Sequence, residues 1–229
     1  HYKSCFAIAH SRYATNTLPS WGLIQPCQVI AHNGELNTLR SNIDSIKSLA
    51  PLYNKNKSFK PTFDLDISRV SDSMCMDQWI EFLLFQGIPI STIFSILISP
   101  SKAQRKWFPK LINKFFSIHS SLLDQWGGPA ALIFSHGSIL GACLDRFGLR
   151  PIRYQLYNDN HLVIGSEIGL LHHKKNKVIE EGRIKPSGMI IINLEKKQFI
   201  KNKFIKNLLV QNPKNFLNIK TYIHKLNDN

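Results

Sequence analysis

"AALIFSHGSILGACL", residues 130–144, reads as strand, turn, strand. Apolar residues fill both arms, and His136-Gly137-Ser138 supplies the turn between them. Two similar units follow. "RYQLYNDNHLVIGS" (153–166) turns at Asn158-Asp159-Asn160, and "MIIINLEKKQFI" (189–200) makes a third hairpin. Successive hairpins build an antiparallel sheet. Upstream the spacing changes to a helical one. "NTLRSNIDSIKSLAPL" (37–52) repeats apolar residues at Leu39, Ile43, Ile46 and Leu49, and is expected to stop at Pro51. "SDSMCMDQWIEFLLFQG" (71–87) opens on capping residues and closes on Gly87. "PISTIFSILI" (89–98) and "KWFPKLINKFFSIHSSLL" (106–123) predict two further helices.

Nearest the N-terminus, "CFAIAHSRY" (5–13) and "CQVIAHNGE" (27–35) are apolar runs too short for helices and read as buried strands. The order is therefore strands, helices, hairpins. That predicts an α+β fold with antiparallel sheet rather than a doubly wound one. No glycine-rich phosphate loop follows any strand, so a dinucleotide site is not expected.

The chain has 229 residues and a formal net charge of +14. The excess is uneven: residues 172–229 hold 13 Lys/Arg against 4 Asp/Glu. The basic residues are mainly Lys and are not interleaved with aromatics as in a strand-binding groove. A solvated surface is expected, with no nucleic-acid partner. No apolar run is long enough for a membrane span. Cys5, Cys27, Cys75 and Cys143 are widely spaced and form no C-x-x-C pair. They read as buried thiols, not as a zinc site or a disulfide framework. No metal site is expected.

Three polar positions stand out. Arg12 follows an apolar run, and its planar fork suits a carboxylate or a structural ion pair. Asn33-Gly34 is either a hairpin turn or a pair of donors converging on an oxyanion. Asp72 begins a helix and serves either as its cap or as a partner for an ammonium group. A carboxylate binder, an ammonium binder and an oxyanion hole would together suit an amino acid undergoing acyl transfer.

Eight stretches in register resemble the type-2 glutamine amidotransferase (glutaminase) domain of glutamate synthases. They are "HSRYATNTLPSW" (10–21), "QP" (25–26), "AHNGELNTLR" (31–40), "SDS" (71–73) with Asp77 and Glu81, "GPAAL" (128–132), "GACLDRFGLRPIRY" (141–154), "SEIGLL" (166–171) and "GRIKPSGMI" (182–190). The resemblance covers about residues 4–200. It implies part of a four-layer αββα N-terminal-nucleophile hydrolase sandwich with antiparallel sheets. Residues 1–200 would be the C-terminal part of that domain, and 201–229 a basic tail or the start of a linker. Carried over by position, Arg12 would hold the α-carboxylate of L-glutamine and Asp72 its α-ammonium. Asn33 and Gly34 would form the oxyanion hole, and Thr15 would line the pocket. His32 matches a family position without an assigned role. Asp145 and Arg146 are expected to form an internal ion pair.

The family nucleophile is an N-terminal Cys whose α-amine serves as base. No residue here matches it. Cys5 reads as a strand thiol, and the chain is expected to be a fragment that is inactive in isolation. The complete enzyme would pass ammonia to a synthase domain for reductive amination of 2-oxoglutarate. FMN, an iron–sulfur cluster, and electrons from ferredoxin or NAD(P)H would belong to the other domains. A cytoplasmic or plastid-stroma location is expected. Gln28, Ser41, Gln78, Gly127 and Phe147 depart from the family pattern. The alternatives are a decayed gene fragment, a non-catalytic basic binding module, or an amidotransferase closer to amidophosphoribosyltransferase.

Overall fold

The computed structural model describes residues 3–12, 21, 24–37, 39–53, 71–122, 125–170 and 177–211. Two antiparallel sheets carry the fold. The larger has five strands: β1 (Ile30–Gly34), β2 (Ala130–His136), β3 (Ile139–Leu144), β7 (Met189–Asn193) and β8 (Gln198–Lys201), side by side in that order. The smaller places β4 (Arg153–Tyr157) between β5 (Leu162–Gly165) and β6 (Val178–Arg183).

Strand alternation sends side chains to two separate cores. On one face Leu132, Phe134, Cys143 and Ile191 pack against helices α1 (Leu39–Tyr53), α2 (Asp72–Phe85), α3 (Ile90–Leu97), α5 (Lys110–Leu122) and α6 (Asn202–Gln211). Phe94 of α3 stacks on Phe134 of β2 at 4.1 Å between ring centroids. On the other face Ala142, Leu144 and Ile190 meet Ile152 and Ile184 of the smaller sheet's side. The described layers are thus helix, sheet, sheet, as an antiparallel α+β sandwich requires. Among the described residues no helix is long and apolar enough to cross a membrane.

All three hairpins form where their turns lie, as do the helices of 71–98 and 110–122. Several expectations need correction. The run 5–13 is not a strand over its described part: Cys5 is exposed and Phe6 is 38% exposed. A strand needs a partner's edge, and the outer edge of β1 is taken up by side chains instead. α1 does not stop at Pro51 but carries it in its last turn. There proline's missing N–H costs a single terminal hydrogen bond. Three elements went unread. Strand β6 hides behind its charge, and α4 (Lys102–Arg105) is one turn closed by a Ser101/Gln104 capping box. Helix α6 lies in the stretch read as a basic tail, yet Ile205 and Leu209 are each only 1% exposed within the main core.

Candidate active site

The site is built on the outer edge of β1. Glu35 donates its N–H to the Pro129 carbonyl at 3.2 Å, and Ser135 donates to the Val29 carbonyl at 2.9 Å. Those two bonds set the phase of the ladder. Residues 29, 31, 33 and 35 turn their backbone groups into β2; residues 30, 32 and 34 turn theirs outward. Ala130, opposite Gly34, confirms the phase by giving its carbonyl to the Asp145 N–H at 3.0 Å instead.

Side chains satisfy the outward donors one after another. The Ile30 N–H meets Asp77 Oδ1 at 2.9 Å, and the His32 N–H meets Gln25 Oε1 at 3.2 Å. Just beyond the strand, the Leu36 N–H meets Asp72 Oδ2 at 3.0 Å. Gly34 is the gap in this series. Among the described residues its N–H has no acceptor. The position demands glycine: φ is +127°, and a Cβ would fall 1.7 Å from the Pro129 carbonyl oxygen. So close a backbone approach leaves an open N–H one turn from a carboxylate.

The remaining predicted positions distribute around this edge. Asn33 is exposed and lies opposite Ala131. Asn33-Gly34 is therefore not a hairpin turn; its partner strand begins at Ala130, far along the chain. Asp72 is not the cap of α2. Ser71 takes that role, accepting from Met74 N–H at 3.2 Å, while Asp72 reaches back to the loop after β1. Arg12 is exposed, and its N–H lies 3.2 Å from His10 Nδ1. His10 Nε2 in turn lies 2.8 Å from the His32 carbonyl. So Asp72 is tied directly to the segment after Gly34, and Arg12 is tied through His10 to the middle of β1. Thr15 lies outside the described residues.

Asp77 is central and was read only as a motif position. Its buried carboxylate receives the N–H groups of Gln28 at 3.0 Å and of Val29 and Ile30 at 2.9 Å. Burial pushes this carboxyl above its usual range, and the three donors hold part of that rise back. Burial lowers the His32 imidazole, with Asp72 opposing the drop and His10 adding to it. His32 is therefore neutral near pH 7. The thiols of Cys27 and Cys75 are both pushed up to about 12, first by burial and then by Asp77 or Asp72. Burial raises Cys143 as well. None of these three offers a thiolate.

The expected Asp145–Arg146 ion pair is replaced by another arrangement. Asp145 accepts the N–H groups of Phe147 at 2.8 Å, Gly148 at 2.9 Å and Leu149 at 3.2 Å, closing the turn after β3. A carboxylate so placed captures backbone donors nearer than any side chain. The departure at Gln28 also has a setting. With its amide turned so that NH₂ faces Glu81, it donates to that carboxylate at 2.9 Å.

A family model described as glutamine amidotransferases class-II matches residues 1–216. The chain belongs to the class-II glutamine amidotransferases. Its α+β sandwich of antiparallel sheets is the N-terminal-nucleophile fold of that family. Among similar curated proteins, the chloroplastic ferredoxin-dependent glutamate synthase of Oryza sativa subsp. japonica is 35% identical over 215 residues, covering 90% of this chain and 13% of that protein. The glutamate synthase (NADPH) large chain of Bacillus subtilis is 32% identical over 213 residues, covering 90% and 14%. The glutamate synthase (NADH) of Saccharomyces cerevisiae is 33% identical over 210 residues, covering 90% and 10%. This amidotransferase chain thus spans about one-seventh or less of the length of those relatives.

Proposed function

We propose that residues 1–229 carry the glutamine site of a glutamate synthase. The observation that carries the reading is the Gly34 N–H, the one outward donor of β1 without an acceptor among the described residues, set beside Asp72. In this reading a thiolate attacks the carboxamide carbon of L-glutamine. The carbonyl oxygen becomes an oxyanion, received by the Gly34 N–H and the Asn33 amide. Collapse of that intermediate breaks the C–N bond, and the nitrogen leaves as ammonia after taking a proton. Water then cleaves the thioester to glutamate and restores the thiol.

Arg12 binds the α-carboxylate as a bidentate partner, Asp72 the α-ammonium, and Thr15 lines the pocket. The nucleophile is not Cys27, Cys75 or Cys143, whose thiols burial keeps protonated. Nor is it Cys5 in our reading, so residues 1–229 alone hydrolyse no glutamine. Ammonia is consumed by reductive amination of 2-oxoglutarate in other parts of the protein, with electrons from ferredoxin or NAD(P)H. FMN and an iron–sulfur cluster belong there too. Among the described residues no group of three His, Cys, Asp or Glu side chains could hold a metal ion, and no step here runs through either group.

Relatives at 32–35% identity support the assignment to glutamate synthase. The test is ammonia release from L-glutamine by the intact protein, followed by glutamate formation when 2-oxoglutarate and a reduced donor are supplied. An intact protein that releases no ammonia from glutamine overturns the reading.

A further inference from the structure

The segment 3–12 forms no ladder with any described strand. Among the described residues a single hydrogen bond ties it to the rest of the molecule: His10 Nε2 to the His32 carbonyl, 2.8 Å. The acceptor is a carbonyl, so Nε2 carries the proton and donates. In the neutral ring Nδ1 then holds a lone pair, and the Arg12 N–H lies 3.2 Å from it. The Arg12 carbonyl oxygen also lies against Nδ1. One half-buried imidazole therefore spans from the backbone of β1 to the backbone of Arg12. It reaches β1 at His32, whose backbone groups face the open edge, two residues before Gly34.

We propose that His10 is a positioning residue that clasps Arg12 to the outer edge of β1 and so fixes the carboxylate-binding end of the glutamine site. The inference rests on the function proposed above for Arg12. It follows from the economy of contacts. An exposed segment with one tertiary hydrogen bond has its position set by that bond. Loosening it leaves Asn33, Gly34 and Asp72 in place, because those residues are held by β2 and by Leu36. Only the placement of Arg12 is lost. The effect therefore falls on substrate binding and not on the chemical step.

The experiment uses the intact protein. His10→Ala should raise KM for glutamine by about fivefold or more, the usual net effect of one hydrogen bond, with kcat within twofold. His10→Gln still reaches the His32 carbonyl with an N–H and should restore KM to within about twofold. A KM unchanged in His10→Ala, or a fall in kcat at constant KM, overturns the proposal. If His10→Ala does not fold, His10→Gln is compared with His10→Asn, whose shorter amide falls short of His32. A lower KM for Gln supports the clasp; equal values or the reverse order contradict it. Tryptic cleavage after Arg12 gives a readout independent of activity. It should quicken about fivefold in His10→Ala and not in His10→Gln, and unchanged cleavage overturns the clasp. An intact wild-type protein without glutamine hydrolysis would overturn the function proposed above, while the tryptic comparison would still decide on the clasp.

Discussion

Asp77, in the middle of α2, accepts the N–H of Ile30 at 2.9 Å from 47 residues away. The same carboxylate takes Gln28 and Val29, so three consecutive backbone donors enter β1 on one side chain. Asp77→Ala would leave those donors unsatisfied in a buried site. It should cost about 3–5 kcal/mol of stability, the usual penalty for removing one member of a buried charged pairing. Urea unfolding of the intact protein, followed through this domain's transition, measures it; a loss below about 1 kcal/mol would contradict the role.

The same residue gives a pH dependence with a definite sign. Burial raises the folded-state pKa of Asp77 above its ordinary value of 3.8. The folded state therefore binds the proton more tightly than the unfolded state does. The stability that this difference supplies is present below the ordinary carboxylate pKa and is lost as pH rises through the raised value. Asp77→Asn does not titrate. The stability advantage of wild type over Asp77→Asn should thus narrow as pH is raised from about 4. Denaturation curves of both proteins across that range check it, and a widening gap would reverse the sign.

Gly34 and Gly128 stand where the end of β1 and the start of β2 pass backbone to backbone. A Cβ at Gly34 would fall 1.7 Å from the Pro129 oxygen, and one at Gly128 would fall 2.1 Å from the Glu35 oxygen. Both have positive φ, +127° and +123°. Either change to Ala should destabilise by about 3 kcal/mol or more, since backbone strain and overpacking add. A shift in urea midpoint matching only the ordinary glycine-to-alanine gain would show that the close approach is absent.

These positions also mark how far the sequence could be read. The hairpins and the helices of 71–98 and 110–122 were legible because their turns, caps and apolar spacing are local. The site was legible by resemblance at Arg12, Asn33, Gly34 and Asp72, but not its supports. Asn33-Gly34 looks like a turn in isolation; only pairing with Ala130 and Ala131 makes it a strand end. Asp77, Gln25 and His10 act on backbone groups distant in sequence, and no local pattern announces that. α6 was hidden because Lys and Asn outnumber its core residues, although Ile205 and Leu209 repeat at helical spacing. The run at 5–13 misled because apolarity predicts burial only where an edge is free to receive a strand.

Thiol reactivity separates the cysteines. Cys27 and Cys75 are pushed up to about 12, Cys75 and Cys143 are buried, and Cys5 is exposed. Iodoacetamide at pH 8 should therefore label Cys5 in the native protein, and Cys27, Cys75 and Cys143 only after unfolding. Peptide mass spectrometry reads this directly. Rapid native labelling of Cys27 or Cys75 would show an accessible thiolate and would reopen the assignment of the nucleophile.

The central claim is that the open edge of β1 receives the oxyanion formed from glutamine. Steady-state glutamine hydrolysis by the intact protein carrying Asn33→Ala tests it most directly. Loss of one oxyanion donor should lower kcat by about 10²–10³-fold with little change in KM, because the donor acts on the transition state more than on bound substrate. A variant with kcat within twofold of wild type would contradict the claim.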